Sequence, residues 1–149
     1  MRENETTIKL TKAELNDLWF ILQNCKREGW CYGRRDYWDK CGANVLPEGV
    51  AVMAADLAYN SGVSRSIKLM QRTCGMPESG RLDSITLNKI KSSDIPEYME
   101  RFKIVRMNFL KSLDKWSVFG RGWTNRVNKN YAFAVAIDKL VNSGEVATA

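Results

Sequence analysis

The side chains that could carry acid–base or metal chemistry in this sequence are carboxylates, lysines, tyrosines and cysteines, because its 149 residues include no histidine. Without an imidazole there is no Ser-His-Asp triad, no Cys-His pair and no histidine ligand for zinc or haem. Any proton transfer must therefore use the side chains that remain.

The four cysteines predict neither a metal site nor a disulfide framework. Cys25, Cys31, Cys41 and Cys74 are separated by 6, 10 and 33 residues, so no C-x-x-C pair occurs. A chain of this length can bury a sufficient core without cross-links. We expect reduced, mostly buried thiols, no bound metal and no cofactor.

Asp56 is the carboxylate that the sequence pattern least allows to be exposed to solvent. It lies in an apolar helical pattern, with Met53 and Leu57 beside it and Asn60 one turn later. A carboxyl group in that setting must be hydrogen-bonded or protonated. Three interpretations remain open: a structural hydrogen bond to a neighbouring loop, a catalytic acid, or a groove that Asp56 lines together with Asn60.

The formal charge of +6 comes from one segment. Residues 101–149 hold nine basic and three acidic side chains, whereas residues 1–50 and 51–100 are each balanced. A basic segment favours a polyanionic partner such as nucleic acid, an anionic membrane surface or bacterial cell wall. The alternative is a solvated helix face that only maintains solubility.

The first residues show no targeting pattern. They are polar and of mixed charge, without the apolar stretch of a secretory signal, and no apolar run approaches the roughly 20 residues that span a bilayer. We expect synthesis in the cytoplasm without a signal peptide, no membrane span and a monomeric protein.

The elements that must position these side chains are helices. Apolar residues recur at steps of three and four, and no stretch alternates convincingly as a strand would. A capping box at Thr11–Glu14 and a cap at Asp94 each predict a helix start. Helices are further predicted over about 47–59, 64–74 (ending at Gly75), 84–90 and 124–141, with a glycine-flanked turn at 119–123. The pattern favours an all-α fold, a single orthogonal helical domain over 1–149.

Four stretches, in order over about residues 32–128, resemble glycoside hydrolase family 108, the phage-type N-acetylmuramidases. The first two are Tyr32-Gly-Arg-Arg-Asp-Tyr37-Trp38 and Leu46-Pro-x-Gly49 followed by Asp56-x-x-x-Asn60-Ser-Gly62. The third is Met70-Gln71-x-x-x-Gly75 followed by Gly80 and Thr86-Leu87. The fourth is Arg106 with Phe109, then Phe119-x-x-Gly122-Trp123-x-Asn125-Arg126-Val127.

The resemblance implies a lysozyme-like fold, bacterial peptidoglycan as partner and a C-terminal portion that binds it. Tyr37, Trp38 and Trp123 are then candidates to stack on sugar rings, and Arg126 to hold a carboxylate of muramic acid or of a peptide stem. Asp56 and Asn60 complete the predicted substrate-binding set. For each aromatic residue the alternative is packing in the core.

The family's N-terminal catalytic E-G-G motif is not found. Glu28-Gly29-Trp30 is the nearest equivalent, which makes Glu28 the candidate catalytic acid, with a solvated glutamate at a helix end as the alternative. Three functions stay open: a muramidase-type endolysin that reaches the wall by a holin-like route, a non-catalytic peptidoglycan-binding module, and a basic helical nucleic-acid binder. The last explains the charge but not the ordered motifs, so no nucleic-acid partner is expected.

Overall fold

Helices make up nearly all of the regular structure in the computed structural model, which describes residues 8–10, 33–144 and 146–148. The elements in chain order are β1 (Ile8–Leu10), a π-helix (Gly33–Trp38), α1 (Glu48–Ser61), α2 (Val63–Thr73), α3 (Ser84–Lys91), α4 (Ile95–Lys111), α5 (Trp116–Asn142) and β2 (Val146–Thr148). The all-α prediction is confirmed. The two strands, which pair in parallel with Ile8 opposite Val146, were not predicted, because three residues are too few to show alternation.

Capping residues and glycines in the sequence lie at the observed ends of α2, α3 and α4. The Asp94 carboxylate accepts the Glu97 backbone N–H at 3.2 Å, as expected for the N-cap of α4. Asp83 caps α3 in the same way through the Thr86 N–H, at 2.7 Å. Gly75 follows α2 with φ of +73°, the left-handed conformation that suits a helix end. Thr11–Glu14 lies outside the described residues.

The predicted turn at 119–123 is wrong, because α5 runs without interruption from Trp116 to Asn142. A glycine inside a helix costs only about 1 kcal/mol, which tertiary packing can exceed. Gly120 is buried, and a Cβ on it would lie 2.8 Å from the Trp116 indole. The missing side chain therefore makes room for that ring. One consequence is that Trp123 and Arg126 lie on the same helix, three residues apart.

Helix α1 lies at the centre of the core, with every residue from Gly49 to Ala58 buried. It approaches two other helices closely at Gly49, where a Cβ would lie 2.5 Å from Met99 Sδ of α4 and 3.0 Å from the Ala134 carbonyl oxygen of α5. The three helices can therefore meet at this point only because residue 49 has no side chain.

The two described cysteines, Cys41 and Cys74, are free. Cys41 is completely buried, and burial raises the pKa of its thiol to about 12, so it stays protonated and unreactive at neutral pH. Cys74 is partly buried, and burial also raises its thiol pKa. Cys25 and Cys31 lie outside the described residues.

We predict opposite effects for alanine at two glycines. Gly49→Ala should lower the free energy of unfolding by about 1–3 kcal/mol, because the new methyl group overpacks the α1–α4–α5 contact. Gly122→Ala should raise it by up to about 1 kcal/mol, because no described atom apart from the adjoining helix backbone and chain neighbours lies within 4 Å of the new Cβ, and alanine favours the helix. Urea denaturation of both variants checks this. A neutral Gly49→Ala would show that the three helices are farther apart.

Candidate functional site

A buried ion cluster joins three helices around Asp56. The side chain of Asp56, on α1, is completely buried. Its Oδ2 accepts a hydrogen bond from Arg106 Nη1 of α4 at 2.7 Å, and its Oδ1 accepts one from Arg126 Nη2 of α5 at 3.1 Å. The carboxylate is thus bound on both oxygens and has no path to solvent.

The partners of Asp56 differ from those the sequence suggested. One of the three interpretations of Asp56 was a structural hydrogen bond to a neighbouring loop. The actual partners are instead the guanidinium groups of Arg106 and Arg126. A buried carboxylate needs this kind of pairing, since removing it from water without a counter-charge is very costly. Both oxygens are therefore engaged in holding helices together, which argues against Asp56 as a catalytic acid.

A cleft of about 130 Å³ opens above this cluster. It is lined by Asn60, Ser61, Arg106, Leu110, Leu113, Trp123 and Arg126. Among the described residues of that lining, the two arginines are the only charged ones. Three of the six predicted substrate-binding residues, Asn60, Trp123 and Arg126, therefore meet at one cleft, with Asp56 beneath it.

Asn60 is both a helix-end residue and part of the cleft wall. Its Nδ2 donates to the main-chain carbonyl of Asp56 at 2.7 Å, one turn earlier in α1. Asn60 remains exposed to solvent. Its amide oxygen is thus held in a fixed orientation next to the cleft, where it can accept a hydrogen bond.

Trp123 is the aromatic residue among those that line the cleft. It is half-buried, and its ring lies 6.3 Å from that of Trp116 and 5.8 Å from that of Phe119, centroid to centroid. Phe119 is itself 48% exposed. An aromatic surface therefore continues from the cleft along the first turns of α5.

The other two aromatic candidates lie elsewhere. Trp38 is completely buried, and its Nε1 donates to Asn44 Oδ1 at 2.9 Å, so its ring has no face open to a sugar. Its burial argues for the core-packing alternative. Tyr37 is half-buried and packs edge-on against Tyr59, with centroids 5.2 Å apart. Neither residue lines the cleft.

Glu28 lies outside the described residues. The described lining of the cleft contains no carboxylate. Within the same part of the chain, no group of three or more cysteine or acidic side chains could hold a metal ion. Nor is any described helix long and apolar enough to cross a membrane.

Arg106 belongs to the fourth family-like stretch, but the sequence alone predicted no role for it. A usable signal was present, because Arg106 falls one turn after Phe102, in the apolar part of α4. A buried arginine needs an acidic partner, and Asp56 was the buried carboxylate in need of a cation. The cleft residues Ser61, Leu110 and Leu113 gave no comparable signal.

Gln71, in the third family-like stretch, has a structural role. Gln71 of α2 is buried, and its Nε2 donates to Ser79 Oγ and to the Arg81 carbonyl at 2.9 and 3.0 Å. Its Oε1 accepts the Gly80 N–H at 3.0 Å. One side chain therefore determines the backbone path of the loop between α2 and α3.

Asp56→Asn should lower the free energy of unfolding by about 3–5 kcal/mol, because it leaves two guanidinium groups beside a neutral amide at the centre of the fold. The matched control is Glu78→Gln, which breaks the exposed Arg72–Glu78 pair and should change stability by less than about 1 kcal/mol. Urea denaturation at neutral pH measures both. Equal effects of the two substitutions would show that the buried cluster does not tie the helices together.

Comparison with solved structures identifies a similar fold. The structure of SagA from Brucella abortus matches with a TM-score of 0.73 at 30% sequence identity, over 76% of this chain. The chain spans 65% of the length of the SagA chain. No protein-family model matches the sequence, and neither does any curated protein. The described residues form an all-α, lysozyme-like domain.

Proposed function

We propose that this chain is a peptidoglycan-directed protein of the endolysin type, and that its described part holds the wall glycan in the cleft above Asp56. One observation carries the proposal. Residues from the second and fourth family-like stretches, separated by 45 to 70 positions in the sequence, converge on this cleft and on the ion cluster beneath it. The fold shared with SagA is consistent with this assignment.

The cleft offers the groups that a sugar ring needs. The exposed part of Trp123 can pack against the apolar face of a pyranose ring. The Asn60 amide can accept a hydrogen bond from a hydroxyl or acetamido group, and Arg126, whose side chain is 32% exposed, can donate to an oxygen. Leu110 and Leu113 complete an apolar wall on the same cleft.

Hydrolysis needs more than these groups supply. Cleaving a glycosidic bond requires a carboxylic acid beside the leaving oxygen. The lining described here has none, and the Asp56 oxygens are both bound to arginines. We therefore assign binding to the described part of the chain. Muramidase activity is the second candidate, favoured by the family resemblance, and would require a carboxyl group from outside this lining.

Incubation with purified peptidoglycan separates the candidates. The binding proposal expects the protein to sediment with the walls without releasing new reducing ends, whereas a muramidase would release them and clear the suspension. A protein that does not sediment with walls but retards duplex DNA, with affinity falling steeply as salt rises, would contradict both candidates and support a nucleic-acid binder.

Asn60→Ala should weaken wall binding several-fold while changing stability by no more than about 1 kcal/mol, since it removes one helix-end hydrogen bond. Asn88→Ala is the matched control, because Asn88 is an exposed asparagine on α3 that does not line the cleft. Sedimentation isotherms and thermal melts measure the two effects. If Asn60→Ala lowers only the melting temperature, Asn60 has a purely structural role.

Glu28→Gln should leave any release of reducing ends largely unchanged. Glu28 stands only nine residues before Tyr37, and no glycine-rich loop follows it, unlike the catalytic glutamate of the family it resembles. Reducing-end assays on wild type and variant, with circular dichroism to compare folding, check this. Complete loss of activity in a normally folded variant would make Glu28 the catalytic acid.

A further inference from the structure

Apolar side chains are exposed at the corner between α4 and α5. The two helices are joined by residues 112–115, of which all but Leu113 are exposed. In the first turn of α5, Val118 is 73% exposed and Phe119 is 48% exposed, and Val118 is the most exposed large apolar residue in the described part of the chain. Single exposed apolar residues are common in folded proteins, so the neighbours of these two decide whether they form a surface.

The neighbours continue the apolar area. Residues three, four and seven positions apart lie next to one another on a helix, which places Trp116, Phe119 and Trp123 in one row. The Trp123 ring lies 6.3 Å from that of Trp116 and 5.8 Å from that of Phe119, centroid to centroid. Val118 and Phe119 precede the exposed Gly122 by four and three residues, so no polar side chain separates them on the first two turns of α5. Together these five residues form the corner surface.

Basic side chains border the corner surface. Lys115 stands three residues before Val118 and Arg121 three residues after it, so both adjoin it on the helix surface. Lys111 ends α4 at the same corner, and all three cations are exposed. They form no ion pair with any described residue, and Asp114 is the only acidic residue between positions 111 and 121. The corner therefore combines exposed apolar groups with an excess of positive charge.

This combination fits a lipid bilayer better than other polyanions. The headgroups of an anionic bilayer attract lysine and arginine, and its acyl chains accept apolar side chains. Tryptophan rings suit the boundary between these two regions. Nucleic acids and glycans offer no apolar interior for an aliphatic side chain such as that of Val118. A second copy of the chain is disfavoured, because a symmetric dimer would bring the same cations face to face.

We propose that the corner surface docks on an anionic lipid bilayer, with Val118 and Phe119 inserted at the headgroup boundary and Lys115 and Arg121 bound to lipid phosphates. This function is separate from glycan binding, since none of these four residues lines the cleft. Docking of this kind lies on the membrane surface and needs no spanning helix. Because Trp123 belongs to both the corner surface and the cleft wall, a docked chain holds its cleft close to the membrane.

Sedimentation of the full chain with lipid vesicles tests the proposal. Vesicles of phosphatidylglycerol and phosphatidylcholine in equal amounts should bind the protein at least about tenfold more tightly than vesicles of phosphatidylcholine alone, because each cation near an anionic surface contributes about fivefold. Binding to the mixed vesicles should weaken as salt rises. Equal binding to both kinds of vesicle, or no binding to the mixed ones, would overturn the proposal.

Apolar variants locate the contact. Val118→Ser combined with Phe119→Ser should weaken binding to the mixed vesicles by at least about tenfold, since it removes the most exposed apolar area of the corner surface. Val118→Ser alone should weaken it several-fold and leave both the melting temperature and sedimentation with walls unchanged. The matched control is Ile85→Ser, which removes a 65% exposed isoleucine from α3 and should leave vesicle binding unchanged.

Charge variants test the second component. Lys115→Gln combined with Arg121→Gln should weaken binding to the mixed vesicles by roughly twentyfold, from about fivefold for each cation. Lys89→Gln combined with Lys91→Gln removes two exposed charges from α3, so it changes the net charge equally. This control should weaken binding by less than about threefold, because charges away from the contact are screened by salt.

The outcomes separate the corner surface from other causes. If the α3 controls weaken vesicle binding as much as the corner variants do, the corner surface is not the contact and the proposal fails. Self-association in analytical ultracentrifugation that the Val118→Ser and Phe119→Ser pair abolishes, without vesicle binding, would make the corner an interface between copies and overturn the proposal. Vesicle binding by a protein that does not sediment with walls would overturn the proposed function and leave membrane docking in place.

Discussion

The buried carboxylate of Asp56 is the interaction on which the arrangement of this protein depends. It lies at the centre of α1 and is bound by one arginine from α4 and one from α5. Apolar packing allows a few crossing geometries between helices, and hydrogen-bonded charges in a dry interior favour one of them. Asp56 therefore determines where the later helices lie against the central one.

The same interaction shapes the cleft. Because Arg126 binds Asp56, its neighbour Trp123, one turn earlier on α5, lines the same cleft as Asn60 of α1. Among the described residues two arginines share one carboxylate, so this part of the site carries an excess of positive charge. Arg126 thus belongs both to the ion cluster that joins the helices and to the proposed binding site, so we expect substitutions of it to affect stability and any binding together.

Much of the fold could be predicted because it is determined locally. The boundaries of α1, α2 and α3 agree with the sequence pattern to within two residues, and Asp94 caps α4 as expected. The glycines at 120 and 122 were misread as a turn, because their cost to a helix is small compared with the packing of Trp116 on Gly120. Of the residues predicted for the site, Asn60, Trp123 and Arg126 line the cleft, whereas Trp38 is buried in the core. The sequence assigned no role to Arg106.

The sequence by itself determined the helical periodicity, the caps, the excess of positive charge in its last third and the exclusion of imidazole chemistry. These depend on composition or on residues within about four positions of one another. Only the tertiary structure decided that Asp56 meets Arg106 and Arg126, which are 50 and 70 residues away. The residues around a charged side chain do not show which distant residue it will pair with, because that partner depends on how whole helices pack.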